Sequence, residues 1–184
     1  DNAGVLVDRD LDPAAIPDAE KTRFLMDTYV AISVPGPAER ASSAIDAALD
    51  RVAEIDAKFN ALNDKSPVYS FNHAGVPIVD EEILSLVRLG LQISRDSQGA
   101  FDMTVAPLSE LWGFYSKAPR LPTGQEVRDT LKVVGSQHLS FREGKLEKDQ
   151  AGVRIDLGGI AKGYALSEAV RVLKSLGVRS ALVD

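Results

Sequence analysis

The sequence predicts an α+β fold, a mixed sheet packed with helices, and three observations carry that prediction. Strand-like and helix-like stretches are interspersed without strict alternation, at least one pair of strand-like runs is joined by a tight turn, and one amphipathic stretch is long enough for a major helix. The 184 residues suffice for one domain with a real core, and the balance of 45% apolar and 26% charged residues is that of a folded chain.

Residues 1–22 carry scattered Asp, Pro and Ala without periodicity and read as an extended or loosely docked arm, so the domain is placed at 23–184. Thr28 to Val34 alternates and is rich in β-branched residues, which predicts a strand stopped by Pro35-Gly36-Pro37. From Ala38 to Leu62, Ile45, Leu49, Val52, Ile55, Phe59 and Leu62 recur at helical spacing and predict the longest helix. Tyr69 to Pro77 reads as a polar connection. Asp80 is placed to cap a second helix with Glu81 and Glu82 in its first turn.

Further on, Thr123-Gly124-Gln125-Glu126 has the form of a capping box and opens a short helix. Arg142-Glu143-Gly144 joins two strand-like runs into a hairpin, and Val153 to Leu157 reads as another strand. Ile160 to Leu176 has the spacing of a helix, with Gly177 as its left-handed terminator. Val178 to Val183 starts a further strand, and an apolar strand left unpaired at a terminus is a liability, so a piece of a longer polypeptide, incomplete at its C-terminus, is expected.

Charge excludes some functions. With 21 Lys and Arg against 27 Asp and Glu, the net charge of -6 gives no basic footprint for nucleic acid. The chain has no cysteine and only two histidines, which argues against thiolate chemistry, a zinc site and a Ser-His-Asp triad.

Chemistry concentrates in two stretches. Asp156-Leu157-Gly158-Gly159-Ile160-Ala161-Lys162-Gly163 places a glycine pair at a helix start, where backbone N–H groups can receive a phosphate and Lys162 gains an anionic partner. The same residues equally serve as a plain tight turn with Lys162 in solvent. In the second stretch, Asp102 and Thr104 share a face if Gly99 to Leu108 is extended, and could orient a ribose, a phosphate or hydrated magnesium. Local capping by the same two residues is the alternative.

Together, Met26-Asp27-Thr28, Ser66 through Asn72, Gly99-Ala100-Phe101-Asp102 with Pro107-Leu108 and Leu111 to Phe114, and Asp156 through Ala165 resemble the FAD:protein FMN transferase family, the ApbE-like flavin transferases. The resemblance implies an enzyme that, with magnesium, moves FMN from FAD onto a Thr or Ser hydroxyl of an acceptor protein and releases AMP. It implies that Met26 and Ser70-Phe71-Asn72 line the flavin site, that Ala100, Phe101, Asp102, Asp156 and Lys162 also contact FAD, and that the Gly159 backbone carbonyl binds the metal. Asp102 or Asp156 would serve as base and Lys162 would neutralise charge.

Where many relatives have Met-Gly-Thr this chain has Met26-Asp27-Thr28, and Ser66-Pro67 stands where many have Ser-Glu. The resemblance also implies a periplasmic or lipoprotein-like, membrane-anchored location outside the cytoplasm. A missing C-terminal segment or chain would complete the site, leaving this piece inactive alone. An FAD carrier, an FAD pyrophosphatase and an interaction domain with purely architectural glycines are the alternatives.

Overall fold

A computed structural model describes residues 4–6, 19–116 and 118–184. In chain order its strands and α-helices are β1 (Gly4–Leu6), β2 (Ala19–Leu25), β3 (Thr28–Val34), α1 (Ala38–Phe59), α2 (Pro67–Ala74), α3 (Glu81–Asp96), α4 (Ala106–Leu111), α5 (Gly124–Thr130), β4 (Leu139–Arg142), β5 (Lys145–Lys148), α6 (Gly158–Ser175) and β6 (Ala181–Val183). The α+β class holds. The backbone forms two compact units, one of residues 1–57 and 161–184, the other of residues 58–160.

The first unit is a four-stranded sheet in the order β1-β6-β3-β2 with α1 and α6. Every described pairing in it is antiparallel, where a mixed sheet is expected from the sequence. Val30, Ile32 and Val34 of β3 are buried, as are Ala181 and Val183 of β6 and the stripe Ile45, Leu49, Val52 and Ile55 of α1. Ala161, Ala165, Ala169 and Leu173, four residues apart, form the buried stripe of α6. The Arg51 guanidinium of α1 donates through Nε and Nη2 to Glu168 of α6, at 3.2 and 3.0 Å.

Two expectations change here. Strand β6 is not an unpaired end: it lies between β1 and β3, with Ile32 opposite Val183 and Ser33 opposite Leu182. The expected arm is in part sheet, since Gly4–Leu6 and Ala19–Leu25 are paired strands, while residues 1–3 and 7–18 of it lie outside the described residues. Met26 and Asp27 form the two-residue turn between β2 and β3, at φ values of 54° and 59°, and Asp56 anchors the turn by accepting the Met26 N–H at 2.9 Å. Two positive φ values define the tight hairpin turn whose twist matches the strands, a turn that favours glycine at its second position.

The second unit holds α2 to α5 and the β4–β5 hairpin. Phe71, Ile78, Ile83, Leu84, Met103, Leu146, Ile155 and Leu157 are its largest buried side chains. The hairpin lies in the predicted place, with Arg142 opposite Lys145 and Glu143 and Gly144 both at positive φ. The Thr123–Glu126 capping box is complete, with both reciprocal bonds formed. Asp80 caps α3 by accepting the N–H groups of Glu82 and Ile83, each at 3.1 Å, and pairs with Lys58 at 3.0 Å. Burial alone would raise the Asp80 carboxyl, but Lys58 and the two N–H donors outweigh it and hold it below its ordinary value.

Three further expectations are corrected. Residues 69–74 are helical and only 75–77 remain a connection: Ser66 caps α2 by accepting the Tyr69 N–H at 2.9 Å, and Pro67 fills the first helical position, where its missing N–H costs nothing. The long helix ends at Phe59 instead of Leu62, because the Asn60 side chain turns back to take the Leu62 N–H at 2.8 Å. Among the described residues Val153 to Leu157 has no strand partner.

Two outcomes follow from these local geometries. Asp27→Gly should raise unfolding stability by about 0.5–1 kcal/mol and Asp27→Val lower it, read by denaturant titration. Asp80→Ala should cost about 1–2 kcal/mol at pH 7. A depressed carboxylate contributes stability above its unfolded pKa of about 3.9 and loses it as pH falls through the folded value. The gap between Asp80→Ala and the parent should therefore shrink in melts run toward pH 2.

Candidate functional site

Residues 153–157 lead into the glycine pair, and their polar backbone is satisfied by side chains instead of a neighbouring strand. The buried Asn72 carboxamide donates to the Ile155 carbonyl and accepts the Ile155 N–H, both at 2.8 Å, so it stands in for a strand partner. Lys148 donates to the carbonyls of Val153 at 2.7 Å and Asn72 at 2.9 Å, with its ammonium 5.1 Å from the centre of the Phe71 ring. Burial, followed by the nearby Arg154 charge, lowers Lys148 to about 8. The Asp156 N–H donates to the Met103 carbonyl at 2.7 Å.

Asp156 itself is held at both oxygens. Its Oδ1 accepts the Gly158 N–H at 2.7 Å, capping the start of α6, and its Oδ2 accepts the Tyr115 hydroxyl at 2.5 Å. Burial first, and then the Asp156 carboxylate, push the Tyr115 phenol far above the usual tyrosine range, so it is a neutral donor at physiological pH. Gly158 and Gly159 are exposed at the helix start. A Cβ on Gly159 would lie 3.0 Å from Cε2 of Phe101, so the ring of Phe101 rests against a bare backbone.

The two chemistry-bearing stretches therefore meet inside the second unit. Phe101 touches Gly159 and Met103 bonds Asp156, which puts Asp102 between two residues in contact with the glycine junction. Asp102 and Thr104 do not project side by side from an extended segment. Asp102 caps a turn of 3-10 helix over Met103–Val105, and its Oδ1 accepts both the N–H and the hydroxyl of Thr104, at 2.7 and 2.6 Å. Thr104 is fully buried and accepts the Gly135 N–H at 2.6 Å, so it is spent internally. Among the described residues nothing donates to Asp102 Oδ2. Ala100 is exposed beside this turn.

The Ser70-Phe71-Asn72 group lies on α2. Ser70 donates to the Ser66 carbonyl at 3.2 Å, Phe71 is fully buried, and Asn72 is engaged as described. In the first unit, Met26 and Lys162 share the lining of one cavity of about 180 Å³ with Thr28, Val52, Ala165 and Asp184. Such a volume falls below the roughly 300–1,000 Å³ of ordinary ligand pockets. Lys162 is exposed and has no hydrogen bond or ion pair among the described residues. A larger cavity of about 600 Å³ in the same unit, beside Arg40, Ser43 and Arg179, contains none of the predicted site residues.

Sequence reasoning missed Tyr115, whose partner lies 41 residues away, and Lys148, which joins Asn72, 76 residues away, to the nearby Val153. It also missed that Asn72 is a clamp. The Ser66-Pro67 pair, a cap followed by a proline at the first helical position, was the one signal in the sequence for α2.

The fold is that of solved flavin transferases. The ApbE protein of Thermotoga maritima is similar at 34% identity and a TM-score of 0.80 over 86% of this chain and 53% of that one. The flavin transferase ApbE of Vibrio cholerae is similar at 26% identity and a TM-score of 0.81, over 90% of this chain and 56% of that one. The ApbE family model matches residues 26–184, and the chain belongs to the ApbE family. Among curated relatives, the FAD:protein FMN transferase of Klebsiella pneumoniae is 32% identical over 171 residues, 86% of this chain. The chain spans 48% of that relative, about half its length.

The clamp on residues 153–157 gives a direct expectation. Asn72→Leu should lower stability by about 2–3 kcal/mol, because it strands two buried backbone groups at Ile155. Lys148→Met should cost less, about 1–2 kcal/mol, since Lys148 is only half-buried and its removal opens a path for water to the two carbonyls. Urea unfolding at pH 7 separates the two.

Proposed function

We propose that the protein is an FAD:protein FMN transferase, moving FMN from FAD to a Thr or Ser hydroxyl of an acceptor protein through a phosphoester bond and releasing AMP. One observation carries the reading for this chain: Asp156 caps a two-glycine helix start whose exposed backbone lies against the ring of Phe101 and next to Asp102. Asp156 takes the Gly158 N–H and the Leu157 carbonyl takes that of Ile160, so the exposed Gly159 backbone, at the positive end of an 18-residue helix, is what would meet the pyrophosphate of a dinucleotide.

In the transfer, the acceptor oxygen bonds to the phosphorus of the FMN half. The bond from that phosphorus to the bridging oxygen breaks, and AMP leaves with that oxygen. The hydroxyl proton passes to a base. Asp102 fits that role better than Asp156, since Asp102 keeps one oxygen free of internal donors whereas Asp156 has both engaged. Lys162 carries an uncompensated positive charge and would serve the phosphates as a counter-charge. Met26, Ser70, Phe71, Asn72, Ala100 and Phe101 are the remaining proposed FAD residues, with Phe71 and Asn72 acting from the core as supports.

Magnesium fits these residues only as one contributor to its shell. The Gly159 carbonyl is a hard neutral oxygen of the kind magnesium takes, but the described residues hold no group of three His, Cys, Asp or Glu side chains able to bind a metal. Bound there, the ion would supply charge neutralisation at the pyrophosphate. The acceptor protein and a location outside the cytoplasm, periplasmic or membrane-anchored, belong to the same proposal. Among the described residues no helix is long and apolar enough to cross a membrane.

Incubating the protein at its full natural length with FAD, magnesium and a Thr- or Ser-bearing acceptor peptide tests the reading by mass spectrometry. Peptide carrying FMN, with AMP in equal amount, is the expected product. Free FMN with AMP would mean a pyrophosphatase, and intact FAD retained on the protein a carrier. Lys162→Ala should weaken FAD binding about tenfold, the size of one charge-assisted contact.

A further inference from the structure

We propose that Tyr115 is a positioning residue that fixes the orientation in which Asp156 meets FAD, an inference that rests on the reading of Asp156 as an FAD contact. Its hydroxyl donates to Asp156 Oδ2 at 2.5 Å, within the range of a charge-assisted O–H···O bond. The backbone of Asp156 is already immobile, because Asn72 holds Ile155 at both polar groups and Met103 takes the Asp156 N–H. What remains free is rotation of the carboxylate. Gly158 restrains one oxygen and Tyr115 the other, so the pair leaves a single side-chain orientation.

Tyr115 is presented by a turn built for the purpose. The N–H groups of Gly113, Phe114 and Ser116 bond to the carbonyls of Glu110, Ser109 and Gly113 at 2.9, 2.9 and 3.0 Å. Gly113 has φ of 76°, and a Cβ there would lie 2.6 Å from the Ala118 carbonyl oxygen, so only glycine fits. Tyr115 is half-buried while the adjacent Phe114 is exposed, which ties the phenol and not its neighbour to the glycine junction. A phenol that stays neutral can only donate to an ionised carboxylate. It therefore orients Asp156 without adding charge beside a phosphate.

The test is FAD titration by flavin fluorescence on the protein at its full natural length, comparing the parent, Tyr115→Phe, Asp156→Asn and the double variant. Tyr115→Phe should bind FAD about tenfold more weakly, with its apo melting curve little changed, and should add nothing in the Asp156→Asn background. A purely structural role would move the melt and would weaken both backgrounds alike. Unchanged affinity in Tyr115→Phe, or equal weakening in both backgrounds, overturns the proposal while leaving the FAD reading intact. If Asp156→Asn alone binds as the parent does, the FAD reading of Asp156 falls and the proposal with it. Should Tyr115→Phe not fold, Tyr115→Leu, which also removes the hydroxyl donor, is judged by the same coupling criterion.

Discussion

The second unit depends on one side-chain amide doing the work of a β-strand. Residues 153–157 run extended through the core without a strand beside them, and buried N–H and C=O groups in that position must find partners or cost free energy. Asn72 supplies a donor and an acceptor in the spacing a neighbouring peptide would offer. Everything downstream inherits that fixation: Asp156, one residue on, keeps its place over the helix start, where it takes the Gly158 N–H and leaves the Gly159 backbone exposed. Core and site are joined in this segment. Val153, Ile155 and Leu157 point into the apolar interior while Asp156 between them is left for polar partners.

Supports of Asp156 come from three distant parts of the sequence, α2, the turn after α3 and the turn after α4, and from the adjacent glycine junction. None of these is a long-range ion pair. The Asp156 carboxylate is met by one backbone N–H and one phenol, both neutral, and among the described residues no cation pairs with it. In the first unit the opposite holds. Lys162 offers a positive charge with no partner among the described residues, beside the cavity it shares with Met26. Charges left unpaired by the fold are the ones a ligand can use.

Much of this was legible in the sequence, for identifiable reasons. Elements governed by local rules came through: the alternation of β3, the apolar stripe of α1, the Asp80 cap and the Thr123–Glu126 box. What failed was long-range or competitive. Residues 153–157 alternate as a strand does, but periodicity reports burial and not which group satisfies the backbone. Residues 67–74 were hidden by the Asn and His that loops favour, though Ser66-Pro67 announces a helix. Asp102 and Thr104 were rightly singled out and wrongly oriented, because Asp next to a turn prefers to cap it. Tyr115 had no local signature at all, since its role lies in its partner 41 residues away.

The setting of Lys148 has a consequence in the solvent. Many cations among the described residues answer to carboxylates near the surface, as Arg120 does to Glu126, and such pairs fade as dissolved ions screen them within a Debye length of about 8 Å at physiological ionic strength. Lys148 instead grips carbonyl dipoles and the face of a phenyl ring in a half-buried niche. Its hold on the 153–157 segment is of short range and partly shielded from mobile ions. The scaffold beneath Asp156 is therefore insulated from changes in salt that would loosen the periphery.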